Sequence, residues 1–137
     1  MAMPFNAADG VADEWIDSWA AGVSERARAA QELSERVSMV SVTASGREDM
    51  VAVTVAGSGV VTDLRLDERV RQWPADEIAR QILTVMRRAQ GLLASRVADI
   101  AEETVGADSE TGRAVVSGFA HRFPEQPADD EDRVRDR

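Results

Sequence analysis

The sequence predicts an α+β domain of order α-β-β-β-α, with two long helices flanking a three-stranded antiparallel meander, assembled as a homodimer. Three observations predict the element order. Apolar residues recur every three or four positions from Val11 to Val37, every two from Val40 to Leu66, and every three or four again from Ile78 to Ile100. A change of period from 3.6 to 2 and back marks a helix, a set of strands and a second helix.

In the first helix the stripe is Trp15, Trp19, Val23, Ala27, Ala30, Leu33 and Val37. Asp13, Glu14 and Asp17 favour the positive end of the helix dipole, and Asp9 before Gly10-Val11 is the expected N-cap. Val40 and Val42 alternate with Ser41 and Thr43 in the first strand. Ala44 to Asp49 reads as a turn, with Gly46 expected to take a positive φ. The second strand places Val51, Val53 and Val55 on one face and Ala52, Thr54 and Ala56 on the other. Gly57-Ser58-Gly59 turns the chain into a third strand, with Val60, Thr62, Leu64 and Leu66 on one side and Val61, Asp63 and Arg65 on the other. Short turns between consecutive strands predict a meander with one buried face.

A connector from Asp67 to Trp73 precedes the second helix. Pro74 suits its start, Asp76 and Glu77 its first turn, and Gly106 its end. Its apolar side is Ile78, Ile82, Val85, Ala89, Leu92, Leu93, Val97 and Ile100. The expected organisation is an N-terminal extension over 1–10, a domain over 11–106, a C-terminal segment over 107–123 that forms a short helix or lies against the domain, and an acidic, disordered tail over 124–137.

Composition narrows the function. Only 4% of residues are aromatic, so the core is thin, and both helices look longer than six-residue strands require. Their protruding apolar ends predict a homodimer that buries them. The chain has no cysteine, which removes disulfide, thiolate-zinc and thiol chemistry, and its one histidine, His121, lies near the C-terminus. It has no lysine either, so no P-loop, and its adjacent carboxylates do not converge on a helix. Neither an enzyme, a metal nor a cofactor is expected. The first ten residues do not read as a signal peptide, and no apolar run approaches a membrane span, so a cytoplasmic location is expected.

The formal net charge is −9, yet its distribution is uneven. Between Leu64 and Ala98 lie seven arginines and four acids, a local excess of +3. Arg80, Arg87 and Arg88, seven and eight residues apart, are expected on one face of the second helix, with Arg69 and Arg71 extending the strip. Arginine forks suit phosphate. The alternative for such a strip is a solvated helix face, with Arg80 paired to Asp76 or Glu77.

Val53-Thr54-Val55-Ala56-Gly57, then Val61 to Asp67, then Val70, followed by the alanine-rich, alternating-charge segment from Ala75 to Glu103, resembles the YbaB/EbfC family of nucleoid-associated proteins over roughly Gln31 to Glu103. The resemblance implies a homodimer with paired, tweezer-like helices, sequence-tolerant DNA binding and a place in the nucleoid. The two tryptophans of the first helix, the Ala-Gly turn and the acidic tail depart from the commonest pattern and resemble an actinobacterial branch with members tied to type VII secretion loci. The expected DNA contacts are Arg69, Arg71, Arg80, Arg87 and Arg88. The alternative is a protein-interaction or adaptor module that has lost DNA binding. The tail is expected to solubilise the chain or, alternatively, to fold back on the arginines as a DNA mimic.

Overall fold

The computed structural model describes residues 2–124, with side chains from Val11 onward. Its elements are α1 (Ala2–Ser38), β1 (Ser41–Gly46), β2 (Val51–Ala56), β3 (Val61–Leu66), a 3-10 helix (Glu68–Gln72), α2 (Ala75–Thr104) and α3 (Glu110–Arg122). The strands form one antiparallel sheet in the order β1-β2-β3. The expected α+β architecture is therefore the one observed, with α3 added where a short helix was one of two expectations. The acidic tail lies outside the described residues from 125 onward.

The core is the seam between the inner face of β1-β2 and one stripe of α2. Val51, Val53 and Val55, alternating along β2, are fully buried against Val85, Ala89, Leu93 and Val97, spaced by four along α2. Each buried Val or Leu contributes about 1.5–3 kcal/mol, so this seam dominates the stability of a domain with few aromatics. Leu33 of α1 packs beside Ile100 and Ala101 in a smaller cluster at the far end of α2. Gly106, at φ +86°, closes α2 with its N–H on the Ala101 carbonyl at 2.8 Å, as expected of a helix-stopping glycine.

Four local expectations are corrected. Helix α1 starts at Ala2 and runs through Asp9 and Gly10, so Asp9 is not its N-cap. Gly10 costs about 1 kcal/mol in a helix, and Ala7, Ala8 and Ala12 around it favour one. Gly46 is not the turn residue, because β1 continues through it in register with Val51. The positive φ angles fall instead on Arg47 (51°), Glu48 (57°) and Asp49 (63°). In β3, a bulge opposite Thr54/Val55 pairs Val61 with Val55 and Asp63 with Thr54, skipping Thr62. Finally, β3 has no buried face: Leu64 and Leu66 share the inner side with Val53 and Val51 but stay 44% and 43% exposed, because α2 lies over β1 and β2.

Two glycines in the β2-β3 turn are required by close approach. A Cβ on Gly57 would stand 1.9 Å from the Val37 carbonyl oxygen, where the end of α1 crosses the turn. Gly59, at φ +89°, faces the Phe123 ring, and a Cβ there would stand 2.3 Å from it.

Gly57→Ala is expected to destabilise the chain by about 1–3 kcal/mol through overpacking against α1. Glu48→Gly, which removes a side chain from a left-handed position, is expected to stabilise it by about 1 kcal/mol. Urea unfolding monitored by circular dichroism checks both.

Candidate nucleic-acid interface

The five arginines expected to meet DNA occupy two adjoining elements. Arg69 and Arg71 lie on the 3-10 helix, while Arg80, Arg87 and Arg88 lie on α2. Asp67 starts the 3-10 helix by accepting the Arg69 backbone N–H at 2.9 Å. Trp73 ends it, its N–H on the Val70 carbonyl, and Pro74 launches α2. Buried Val70 pins this corner to the core and keeps both connector arginines outside.

Most of these guanidinium groups already have partners. Arg69 Nε donates to Asp67 Oδ1 at 2.9 Å, Arg71 Nε reaches Glu68 Oε2 at 3.1 Å, and Arg80 Nη1 donates to Glu77 Oε2 at 3.2 Å. Arg88 turns to the sheet and donates to the Ser45 carbonyl at 2.5 Å. Arg87 is exposed and makes no ion pair or hydrogen bond among the described residues.

Helix geometry explains the split. A seven-residue step rotates about 20° around an α-helix and an eight-residue step about 80°. Arg80 and Arg87 therefore share the face opposite the Val85-Ala89-Leu93 stripe, and Arg88 comes round towards β1. The single shared face expected for all three is thus narrowed to two of them.

Sequence reasoning overlooked Arg47. Its left-handed backbone places the guanidinium over the Trp73 ring, 4.6 Å from the centroid, and in an ion pair with Glu77. Glu77 thereby joins Arg47, Arg80 and Gln81, whose Nε2 donates to it at 3.1 Å. The Arg80–Glu77 pair is one of the two helical pairs open in the sequence, but no local signal marks Arg47, which is 30 residues from Glu77. Gln81 is the one buried polar side chain among the described residues, and its Oε1 has no partner.

The electrostatics at the connector are set by one pair. Hydrogen bonds from the Arg69 side chain and backbone hold the Asp67 carboxyl below its usual range, and Asp67 raises Arg69 in return. A carboxyl whose pKa is lower folded than unfolded stabilises the fold above its unfolded value, near 3.9. That contribution is lost as pH falls through the depressed folded value. At neutral pH the pair is therefore intact.

No described helix is long and apolar enough to cross a membrane, and no described cluster of His, Cys, Asp and Glu could hold a metal ion.

In an acid titration followed by carboxyl NMR, Asp67 is expected to protonate below the ordinary aspartate range, and Arg69→Ala is expected to move its midpoint upward.

No curated protein matches the chain. The model of the YbaB/EbfC DNA-binding family matches residues 17–109. That span takes in much of α1, the whole sheet, the 3-10 helix and α2, and stops just before α3. With more than half of its length matched and the helix-meander-helix order in place, the chain belongs to the YbaB/EbfC DNA-binding family, which is non-enzymatic.

Proposed function

We propose that this protein is a nucleoid-associated factor that binds duplex DNA as a homodimer, through phosphates and with little sequence preference. The observation that carries the reading is that the family match spans all five arginines of the connector and α2. Arg87, exposed and without an ion pair among the described residues, is the leading phosphate ligand, and Arg80, beside it on the outward face of α2, adds its charge while keeping its pair with Glu77. Arg69 and Arg71 join them by exchange. Their carboxylate partners are exposed, with Arg71 and Glu68 about 80% accessible, and exposed pairs contribute only about 0–1 kcal/mol. A phosphate can therefore displace the carboxylate at small cost. Arg88, committed to the Ser45 carbonyl, positions α2 against β1 before it contributes charge. Phosphate contacts of this kind give affinity and orientation without base reading.

The dimer is supported by the strip of Leu64 and Leu66 on the inner side of β3. It continues the core face beyond the cover of α2, and among the described residues β3 is a sheet edge without a further strand. A second copy would bury that strip and double the arginine surface.

A second reading is favoured by the ion pairs themselves. Arg69, Arg71 and Arg80 already face carboxylates in a chain of net charge −9, which suits a protein-recognition or secretion-associated adaptor.

Gel retardation with a random-sequence duplex across a salt series separates the two. The DNA reading predicts retardation at low salt that weakens as salt rises. Arg80→Ala and Arg87→Ala should each lower the log-log salt slope by about 1, the value for one phosphate ligand. Asp67→Asn keeps the cap but frees Arg69, and is expected to tighten binding several-fold. No retardation at low salt, even with the chain cut after Pro124, leaves the adaptor reading.

A further inference from the structure

The projecting half of α1 is amphipathic and, from Val11 to Arg28, lies almost wholly exposed among the described residues. Trp15, Ile16 and Trp19 are 66%, 50% and 57% exposed, and every residue from Val11 to Arg28 except Gly22 is exposed. Ile16, Trp19, Val23, Arg26, Ala30, Leu33 and Val37 step by three and four, the spacing of a coiled-coil seam. Leu33 and Val37 use that seam against the core, while Ile16, Trp19 and Val23 remain open. An apolar surface bearing two tryptophans on an acidic chain marks a contact site.

The base of the arm carries a matching recess. A cleft of about 480 Å³ opens between α1 and the start of α3, walled by Val23 and Ala27 on one side and Val105 and Thr111 on the other. The wall from α3 lies beyond the family span, which stops at residue 109.

Charge selects the orientation. The outer part of the arm from Val11 onward carries Asp13, Glu14 and Asp17, whereas Arg26 lines the cleft and Arg28 follows it, with Glu25 just before them. Two arms running in the same direction would set three acids against three acids. Running in opposite directions, they set Glu14 against the other arm's Arg28 and Asp17 beside its Arg26, with one like-charge pair, Asp17 and Glu25, in place of three. Shape agrees with charge. An antiparallel pair centred at Ala21 puts Trp19 opposite Val23, Trp15 opposite Ala27 and Ile16 opposite Arg26. In the first two pairs a tryptophan meets a smaller residue. Arg26, the single charged seam position of this stretch, lies within reach of the partner's Asp17, and a lone polar residue in a seam fixes register.

We propose that the α1 arm pairs antiparallel with the α1 arm of a second copy of this chain, each seating Trp15 in the other's cleft between α1 and α3. This contact goes beyond the dimer proposed above and is separable from it, because it uses none of the β3 strip. A chain with both two-fold contacts assembles past a dimer, which would let one assembly hold two DNA segments.

The test compares full-length variants by sedimentation. Leu64→Glu/Leu66→Glu breaks the strip and is expected to leave a dimer held by the arms. Adding Trp15→Glu/Trp19→Glu, which lie outside the core, is expected to reduce it to a folded monomer by circular dichroism. A mass unaffected by the tryptophan substitutions in both the wild-type and the strip-broken background overturns the arm contact, whatever the DNA assay returns. Orientation is read by disulfide trapping, since the chain has no cysteine of its own. Mixed and oxidised, Ala12→Cys and Ala30→Cys chains are expected to cross-link to each other. Failure of the mixed pair, or cross-linking of Ala12→Cys chains to themselves, overturns the antiparallel register.

Discussion

The fit of the α2 stripe onto the inner face of β1-β2 is the constraint on which the rest depends. Val51, Val53 and Val55 meet Val85, Ala89, Leu93 and Val97 with nothing left open to solvent along the contact. Because the stripe recurs by four and the strand by two, one rotational setting of α2 satisfies both. That setting decides where every other α2 side chain goes. It turns Arg88 to the Ser45 carbonyl, leaves Arg80 and Arg87 on the outside, and brings Glu77 to Arg47. The candidate DNA surface is thus a by-product of core packing, and its composition follows from helix geometry.

An acidic chain can still present a cationic ridge, because total charge and local charge act at different ranges. At physiological salt, exposed charges more than about 8 Å apart are largely screened. A phosphate at Arg87 therefore responds to its near neighbours far more than to the acids of α1. The neighbours themselves are divided. Asp67, Glu68 and Glu77 each stand beside one of the ridge arginines. On the proposed reading such an arrangement would tune affinity, because the carboxylates would compete with phosphate for the same guanidinium groups and the competition would shift with salt. Glu77, anchored by Arg47 and Gln81, is the least easily displaced of the three.

Much of the fold was legible because it is written in periodicity. The valines of β2, the stripe of α2 and the stop at Gly106 need only local pattern and backbone preference. What was not legible depends on contacts between distant segments. The bulge at Thr62 interrupts an alternation that otherwise reads cleanly through β3. The left-handed run at Arg47 to Asp49 contains no glycine, and it is supported by Trp73 and Glu77, both far along the chain. The site divided in the same way. Arginine spacing placed Arg80 and Arg87 together, but no spacing rule shows that Arg69 answers to Asp67 or that Arg88 reaches across to β1. The exposure of Trp15 and Trp19 fits the protruding apolar ends expected of the long helices, although an apolar stripe does not show in sequence which of its residues face the core and which stay open.

The central claim is that core packing sorts the arginines of α2 into outward phosphate ligands and an inward positioning residue. Side-chain guanidinium NMR of the full chain, titrated with a short duplex at low salt, tests this most directly. The account predicts that the Nε-Hε signals of Arg80 and Arg87 move on binding while that of Arg88 stays in place. Movement of Arg88 with Arg80 and Arg87 unchanged, or no movement at any of the three, would contradict it.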